Sequence, residues 1–200
     1  MVAYQNFTLA AWVYLSLHGT YGILWLLKDR LFPDKKWEEE IPFAQGIIIF
    51  VMLGLYWVAP FILISSGTEP PSALVAAAIS LNIFGIFLHY SSDAQKYYTL
   101  KYKSGLITEG FFARCRNTNY LGEILIYLAF AMLVQHWLPY LILGVFVAGV
   151  FIPNMLKKDK SLSRYPEFAE YEANSGLIIP QLFGNNSLTS ETQTIEEKST

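Results

Sequence analysis

Four stretches of this chain run without a formal charge for the length of a membrane crossing. Thr8 to Leu27 is 20 residues, Phe43 to Ile64 is 22, Ala73 to Tyr90 is 18 and Ile124 to Ile152 is 29. About 20 apolar residues in a helix cross a hydrocarbon core of roughly 30 Å. The last run is too long for one crossing and is broken in its middle by "QHWLPY". It reads as a hairpin of two helices, the first starting near Asn119 and the second running from about Trp137 to Leu156. The expected fold is therefore all-α, a polytopic membrane helix bundle of about five transmembrane helices. Composition agrees: 54% of the 200 residues are hydrophobic, and they are blocked rather than evenly spread.

The cations fix an orientation. All 14 Lys and Arg follow the first, third or fifth expected helix. The N-terminus, the Ser65–Ser72 loop and the Gln135–Tyr140 loop carry none. Positive loops stay inside, so the basic loops and the C-terminus are expected in the cytosol. The formal net charge of −2 gives no support to a nucleic-acid partner. The start "MVAYQNFTLA" lacks a basic region and reads as an uncleaved first span rather than a secretory signal. The one cysteine, Cys115, excludes an internal disulfide and a Cys-based metal cluster. Its flanking arginines favour a thiolate, but the plain reading is an ordinary cytosolic thiol. No metal site is expected.

Residues 1–183 read as a single transmembrane domain, and 184–200 as a disordered polar tail with too little apolar content to fold. The loop "KDRLFPDKKWEEE" reads as a solvated connector with Trp37 at the interface. Ser91–Thr118 and Lys157–Phe183 are short basic segments on the same face. The first has moderate helix potential at its start, and Pro166 suits the first turn of a short helix through Tyr171. Neither segment can build its own core, so both must pack on the helix ends, which points to a shared site there.

The residues around Asn119 carry the chemistry. Asn117 or Asn119 is a good helix N-cap. The free N–H groups of such a start attract anions, and Arg114 and Arg116 add forked donors for phosphate or carboxylate. Gly122 permits close approach of another helix or a ligand. Glu123 stands at the entry of an apolar helix, where an ionisable side chain needs a protein interior or cavity; a helix-dipole role at headgroup level is the plain alternative. Upstream, His89, Asp93 and Lys96 fall on one helix face. A satisfied interior histidine and a surface Asp–Lys pair are the plain readings of those three.

The stretch from Ser91 to Met132 resembles the C-terminal domain of the steroid 5α-reductase family, including its DUF1295-type relatives of unassigned substrate. The resemblance rests on Ser92-Asp93, Gly110-Phe111-Phe112, Asn119-Tyr120-Leu121-Gly122-Glu123 and Arg164-Tyr165-Pro166…Ile179-Pro180, in that order. It covers about half the chain, residues 85–183. It implies a membrane reductase using NADPH, with the cofactor in the cytosolic mouth of the bundle. By the same resemblance Asp93, Asn119 and Tyr120 contact the cofactor, with Arg114 or Arg116 and Arg164 or Tyr165 nearby, and Glu123 faces the reacting end. The substrate implied is a lipophilic small molecule with an activated C=C bond, a lipid or steroid-like enone. The family's N-terminal Gln-Glu pair and Tyr have no match here; Tyr56, or Tyr14 or Tyr21, is the candidate proton donor. Endoplasmic reticulum is implied for a eukaryote, and a bacterial inner membrane suits the same physics.

Two other readings share the architecture. Isoprenylcysteine and phospholipid methyltransferases bind S-adenosylmethionine through Arg-His-Pro-x-Tyr-x-Gly and a later Glu pair. This chain keeps Arg116, Tyr120 and Gly122 but has Asn117 and Thr118 for His and Pro, and Asp159-Lys160 for the Glu pair. The third reading is a non-catalytic membrane protein of the same fold. The bilayer is the expected partner, and no particular protein partner is indicated.

Overall fold

The computed structural model describes residues 1–34 and 39–182. The interfacial Trp37 and the polar tail lie outside the described residues. Those described form eight α-helices and no strand; an isolated parallel bridge pairs Cys115 with Gly176. The helices are α1 (Leu9–Leu31), α2 (Phe43–Gly54), α3 (Val58–Ser66), α4 (Ser72–Tyr102), α5 (Thr118–Val134), α6 (Trp137–Phe146), α7 (Ile152–Leu162) and α8 (Phe168–Asn174).

Two of the expected spans are interrupted rods, and a proline explains each interruption. α2 and α3 join through a 3-10 turn at Leu55–Trp57. Pro60 has no N–H for the carbonyl of Tyr56 four residues back, so the α ladder cannot continue there. α6 and α7 join through a π turn at Val147–Phe151, and Pro153 likewise leaves the Gly149 carbonyl without its partner. The 3-10 turn meets the end of α6, just before the π turn: the Tyr56 ring stacks on Phe146, centroids 5.0 Å apart.

Three rods are long and apolar enough to cross a membrane, Phe43–Ser66, Ser72–Tyr102 and Trp137–Leu162. The protein is thus an all-α membrane helix bundle. α1 occupies the first uncharged run. α5 is apolar but has 17 residues, about 25 Å at 1.5 Å per residue. The hairpin expected at "QHWLPY" is present: Gln135 takes the left-handed conformation (φ 51°) and His136 caps α6 by accepting from the Leu138 N–H. α4 joins the third uncharged run to the helical start expected after Ser91. It continues unbroken to Tyr102, 31 residues in all, so Asp93, Lys96 and Lys101 ride on the same rod that enters the membrane.

α5 is the axis of the bundle. Its Ile126, Phe130, Leu133 and Val134 are buried against Tyr14 and Tyr21 of α1, Leu63 of α3 and Ala78 of α4. At one end Asn6 ties the entry of α1 to the exit of α3, donating to the carbonyls of Leu63 (3.2 Å) and Ile64 (2.9 Å). The end carrying the basic residues holds the site. α2 contrasts with the rest: none of its residues is buried among the described residues, and Phe43, Ile48 and Phe50 are widely exposed. In a bilayer that surface faces lipid.

Candidate functional site

The site exists because α4 and α5 cross with almost no side chain between them. A Cβ on Gly122 would lie 2.5 Å from the His89 nitrogen and 2.6 Å from the Gly85 carbonyl; one on Gly85 would lie 2.7 Å from the Gly122 carbonyl. Real Cβ contacts are not that short, so both positions need glycine for the approach. The crossing brings His89 against the first turn of α5, where its Nδ1 is 3.0 Å from the carbonyl of Asn119. That contact identifies Nδ1 as the protonated nitrogen, since a carbonyl only accepts. Nε2 then faces Asp93, 3.9 Å from Oδ2. Asp93 in turn pairs with Lys28 from the last turn of α1. Asn119, His89, Asp93 and Lys28 thus gather where three helices meet at the basic end.

Glu123 is one turn into α5 and half-buried. Its carboxylate is within electrostatic reach of Lys28 and Asp93 and makes no ion pair among the described residues. Tyrosines surround it. Tyr21, Tyr56, Tyr90, Tyr120 and Tyr127 all lie within its field. Tyr56 stacks face to face on Tyr127, centroids 4.3 Å apart and planes 9° from parallel. Tyr21 meets Tyr127 and Tyr90 edge-on at 6.2 and 6.4 Å. Tyr120 packs on Phe151 of the π turn at 5.0 Å. The structure therefore gathers an acid and several phenols, with Tyr56 held between Tyr127 and Phe146.

A clasp from the C-terminal segment holds the start of α5. The Arg116 N–H donates to the Gly176 carbonyl (2.9 Å), while the N–H groups of Gly176 and Gln181 donate to the Arg114 carbonyl (3.1 and 2.9 Å). Asn117 Nδ2 donates to the Leu177 carbonyl at 2.9 Å, and the Cys115 thiol to the Ile178 carbonyl at 3.3 Å. A Cβ on Gly176 would fall 1.8 Å from the Ile179 oxygen, so the segment can close only through glycine. The Tyr171 hydroxyl donates to the Phe112 carbonyl at 2.8 Å, and burial pushes this phenol up from its ordinary pKa.

Arg116 is the rivet of the clasp. Its Nε donates to Asp159 Oδ2 at 3.0 Å, Nη1 donates to the carbonyls of Glu172 (3.1 Å) and Ser175, and Nη2 lies 3.7 Å from Glu172 Oε1. The other expected cations stand apart. Arg114 is exposed and contributes backbone to the clasp. Arg164 is exposed and folded over the Tyr165 ring at 4.9 Å, with Nη1 donating to Ser161 at 3.0 Å. Asp93, Asn119, Tyr120 and Glu123 are thus assembled at the α4–α5 crossing. Tyr56 joins them through Tyr127, while Arg164 and Tyr165 have no contact with that group among the described residues.

Two open cavities flank α4 at the basic end. The larger, about 460 Å³, is lined by Lys28, Phe32, Asp93, Lys96, Tyr97 and Lys101 among others. The smaller, about 80 Å³, shares Lys96 and Leu100 and adds Phe112, Arg116, Lys158 and Tyr171. Sequence reasoning missed Lys28 as a site residue and Asp159 as the partner of Arg116. The signal for Lys28 was its place in the last turn of an apolar helix; for Asp159, 43 residues from Arg116, the chain offered none.

A family model described as a protein of unknown function (DUF1295) matches residues 29–175. The matched span contains the α4–α5 crossing, Glu123, and Arg116 with its partners Asp159, Glu172 and Ser175; it begins just after Lys28 and ends just before Gly176. No curated protein and no solved structure matches the chain.

Proposed function

The chain belongs to the DUF1295 family, and from that membership and the geometry of its basic end we propose that it is a membrane-embedded, NADPH-dependent reductase of an activated C=C bond in a lipid or steroid-like enone. One observation carries the reading. The Lys28–Asp93 pair both lines the 460 Å³ cavity and lies within electrostatic reach of Glu123 and its tyrosines. A cofactor-sized, lysine-lined space thus adjoins a group of proton-active side chains.

The donor set fits the cofactor. Three lysines in one wall suit a phosphorylated dinucleotide, and Phe32 and Tyr97 offer flat apolar faces. S-adenosylmethionine carries a cationic sulfur and no phosphate, and such a wall matches it poorly. Asp93, Asn119 and Tyr120 would hold the nicotinamide end, and bound NADPH would supply the hydride to the β-carbon of the enone. The protein does the rest. Tyr56, buttressed by Tyr127 and Phe146, hydrogen-bonds the substrate carbonyl oxygen and draws negative charge toward it. Glu123 orients the reacting end, and Tyr56 or Glu123 delivers the balancing proton, so that one hydride and one proton saturate the bond.

Access is lateral in this reading. α2, just before the Tyr56 turn, buries none of its residues among the described residues, and on that lipid-facing side a lipid substrate enters without crossing water. Positive loops place the basic end and the C-terminal clasp in the cytosol, at the endoplasmic reticulum of a eukaryote or the inner membrane of a bacterium.

The test is thermal stabilisation of the detergent-purified protein by NADPH, NADH and S-adenosylmethionine, since a ligand of the native state raises Tm with the logarithm of its excess over Kd. NADPH is expected to raise Tm most. A shift with S-adenosylmethionine alone would transfer the protein to methyl-transfer chemistry, and no shift with any of the three would leave the non-catalytic reading standing.

A further inference from the structure

The arginines of the resemblance are not the cations best placed for an anionic ligand. Arg116 is 7% exposed, and the clasp occupies its guanidinium. Arg164 lies against its own neighbours. The lysines differ. Lys28, Lys96 and Lys101 share the larger cavity. Lys96 also lines the smaller one, where it lies within electrostatic reach of Lys158. The turn from Lys96 to Leu100 is therefore a saddle between two cavities, with cations on both sides.

Lysines outnumber acids among the described residues in the walls of both cavities. Asp93 pairs with Lys28, Asp34 is the other acid in the larger cavity's wall, and no acidic side chain lies in the wall of the smaller one. Among the described residues Lys96 and Lys101 make no ion pair. Lys101 instead lies over the Tyr97 ring at 5.9 Å, and Phe32 packs on that ring at 6.5 Å. Like charges gathered this closely are costly, and an anion lowers the cost. The aromatic wall beside them takes a flat ring.

We propose that Lys96, flanked by Lys28 and Lys101 on one side and Lys158 on the other, is the phosphate-binding centre of this face. Its ligand seats its phosphates on the saddle and its ring in the larger cavity. The assignment rests on the reductase reading for the ligand's identity as a dinucleotide, but not for its phosphate chemistry; an anionic lipid headgroup carries the same group.

The experiment uses the full chain in nanodiscs of neutral phosphatidylcholine, with binding of NADPH and of inorganic pyrophosphate read by tryptophan fluorescence. Lys96→Glu and Lys96→Gln are compared with Lys157→Ala, an exposed cation off the saddle. Lys96 is exposed on a helix, so neither replacement disturbs packing. Lys96→Glu is expected to weaken both ligands at least tenfold, Lys96→Gln less, and Lys157→Ala under threefold. NADPH bound equally well by wild type and Lys96→Glu would overturn the proposal and leave the reductase reading intact. No NADPH binding, but pyrophosphate binding or a higher Tm in phosphatidylglycerol discs that Lys96→Glu abolishes, would support the site and sink the reductase reading. No phosphate ligand bound under any of these conditions would overturn both.

Discussion

Arg116 and Glu123 stand seven positions apart, both ionisable, both at the mouth of the same helix, and the structure gives them opposite surroundings. Arg116 is bonded on all sides by Asp159, Glu172 and Ser175. Removing one partner of a buried ion pair typically costs about 3–5 kcal/mol, because the other charge is stranded. Arg116→Ala should accordingly lower Tm by many degrees, and Asp159→Asn should do much of the same damage. A double mutant no worse than the poorer single would confirm the coupling; strictly additive losses would argue against it. Glu123 lacks such partners, so Glu123→Gln should leave Tm nearly unchanged and cut kcat far more than NADPH affinity. Equal turnover in wild type and variant would remove Glu123 from the mechanism. The sequence displayed both residues and suggested phosphate for one and chemistry for the other. It could not show that the arginine is engaged, because its partners lie on segments more than 40 positions away and only the closed clasp brings them near.

Among the elements, the hydrophobic runs told where helices lie better than what they do. The α5–α6 turn is where "QHWLPY" indicated it, because a loop in a charge-free run needs polar residues and a proline near the next helix start. The breaks of the two interrupted rods were equally present in the sequence, at Pro60 and Pro153, but an apolar run with no cluster of polar residues beside its proline reads as one span. Those breaks matter, since they bring Tyr56 onto Phe146. The α4–α5 crossing was half legible: Gly122 suggested a close approach, but not that Gly85 would face it. Gly122→Ala must push α5 off His89, and overpacking of this kind costs about 1–3 kcal/mol. Its expected result is a lower Tm together with weaker NADPH binding, because the Asn119–His89 contact opens. Gly144→Ala, with nothing within 4 Å of the added carbon, should change neither. A Gly122→Ala protein as stable as wild type would mean the crossing has slack that the geometry denies.

At the scale of the whole molecule the charge pattern and the packing agree on a polarised bundle. The described cations gather at one end, with the Lys28–Asp93 pair and the clasp; the other end is closed by Asn6 on the last turn of α3. Neighbour relations such as α1 with α4 were not legible, because lipid-facing and protein-facing apolar surfaces look alike in composition. Which end faces the cytosol follows from the positive-inside rule and can be tested directly. The native Cys115 is 2% exposed, so it should give little background with a membrane-impermeant maleimide. Single cysteines at Thr68 and at Lys103, both off the helices, should then report opposite sides of an intact cell: Thr68→Cys labelled from outside, Lys103→Cys only after permeabilisation. The reverse pattern would put the proposed phosphate-binding lysines where no nucleotide cofactor is supplied, and the proposed reductase would have no source of hydride.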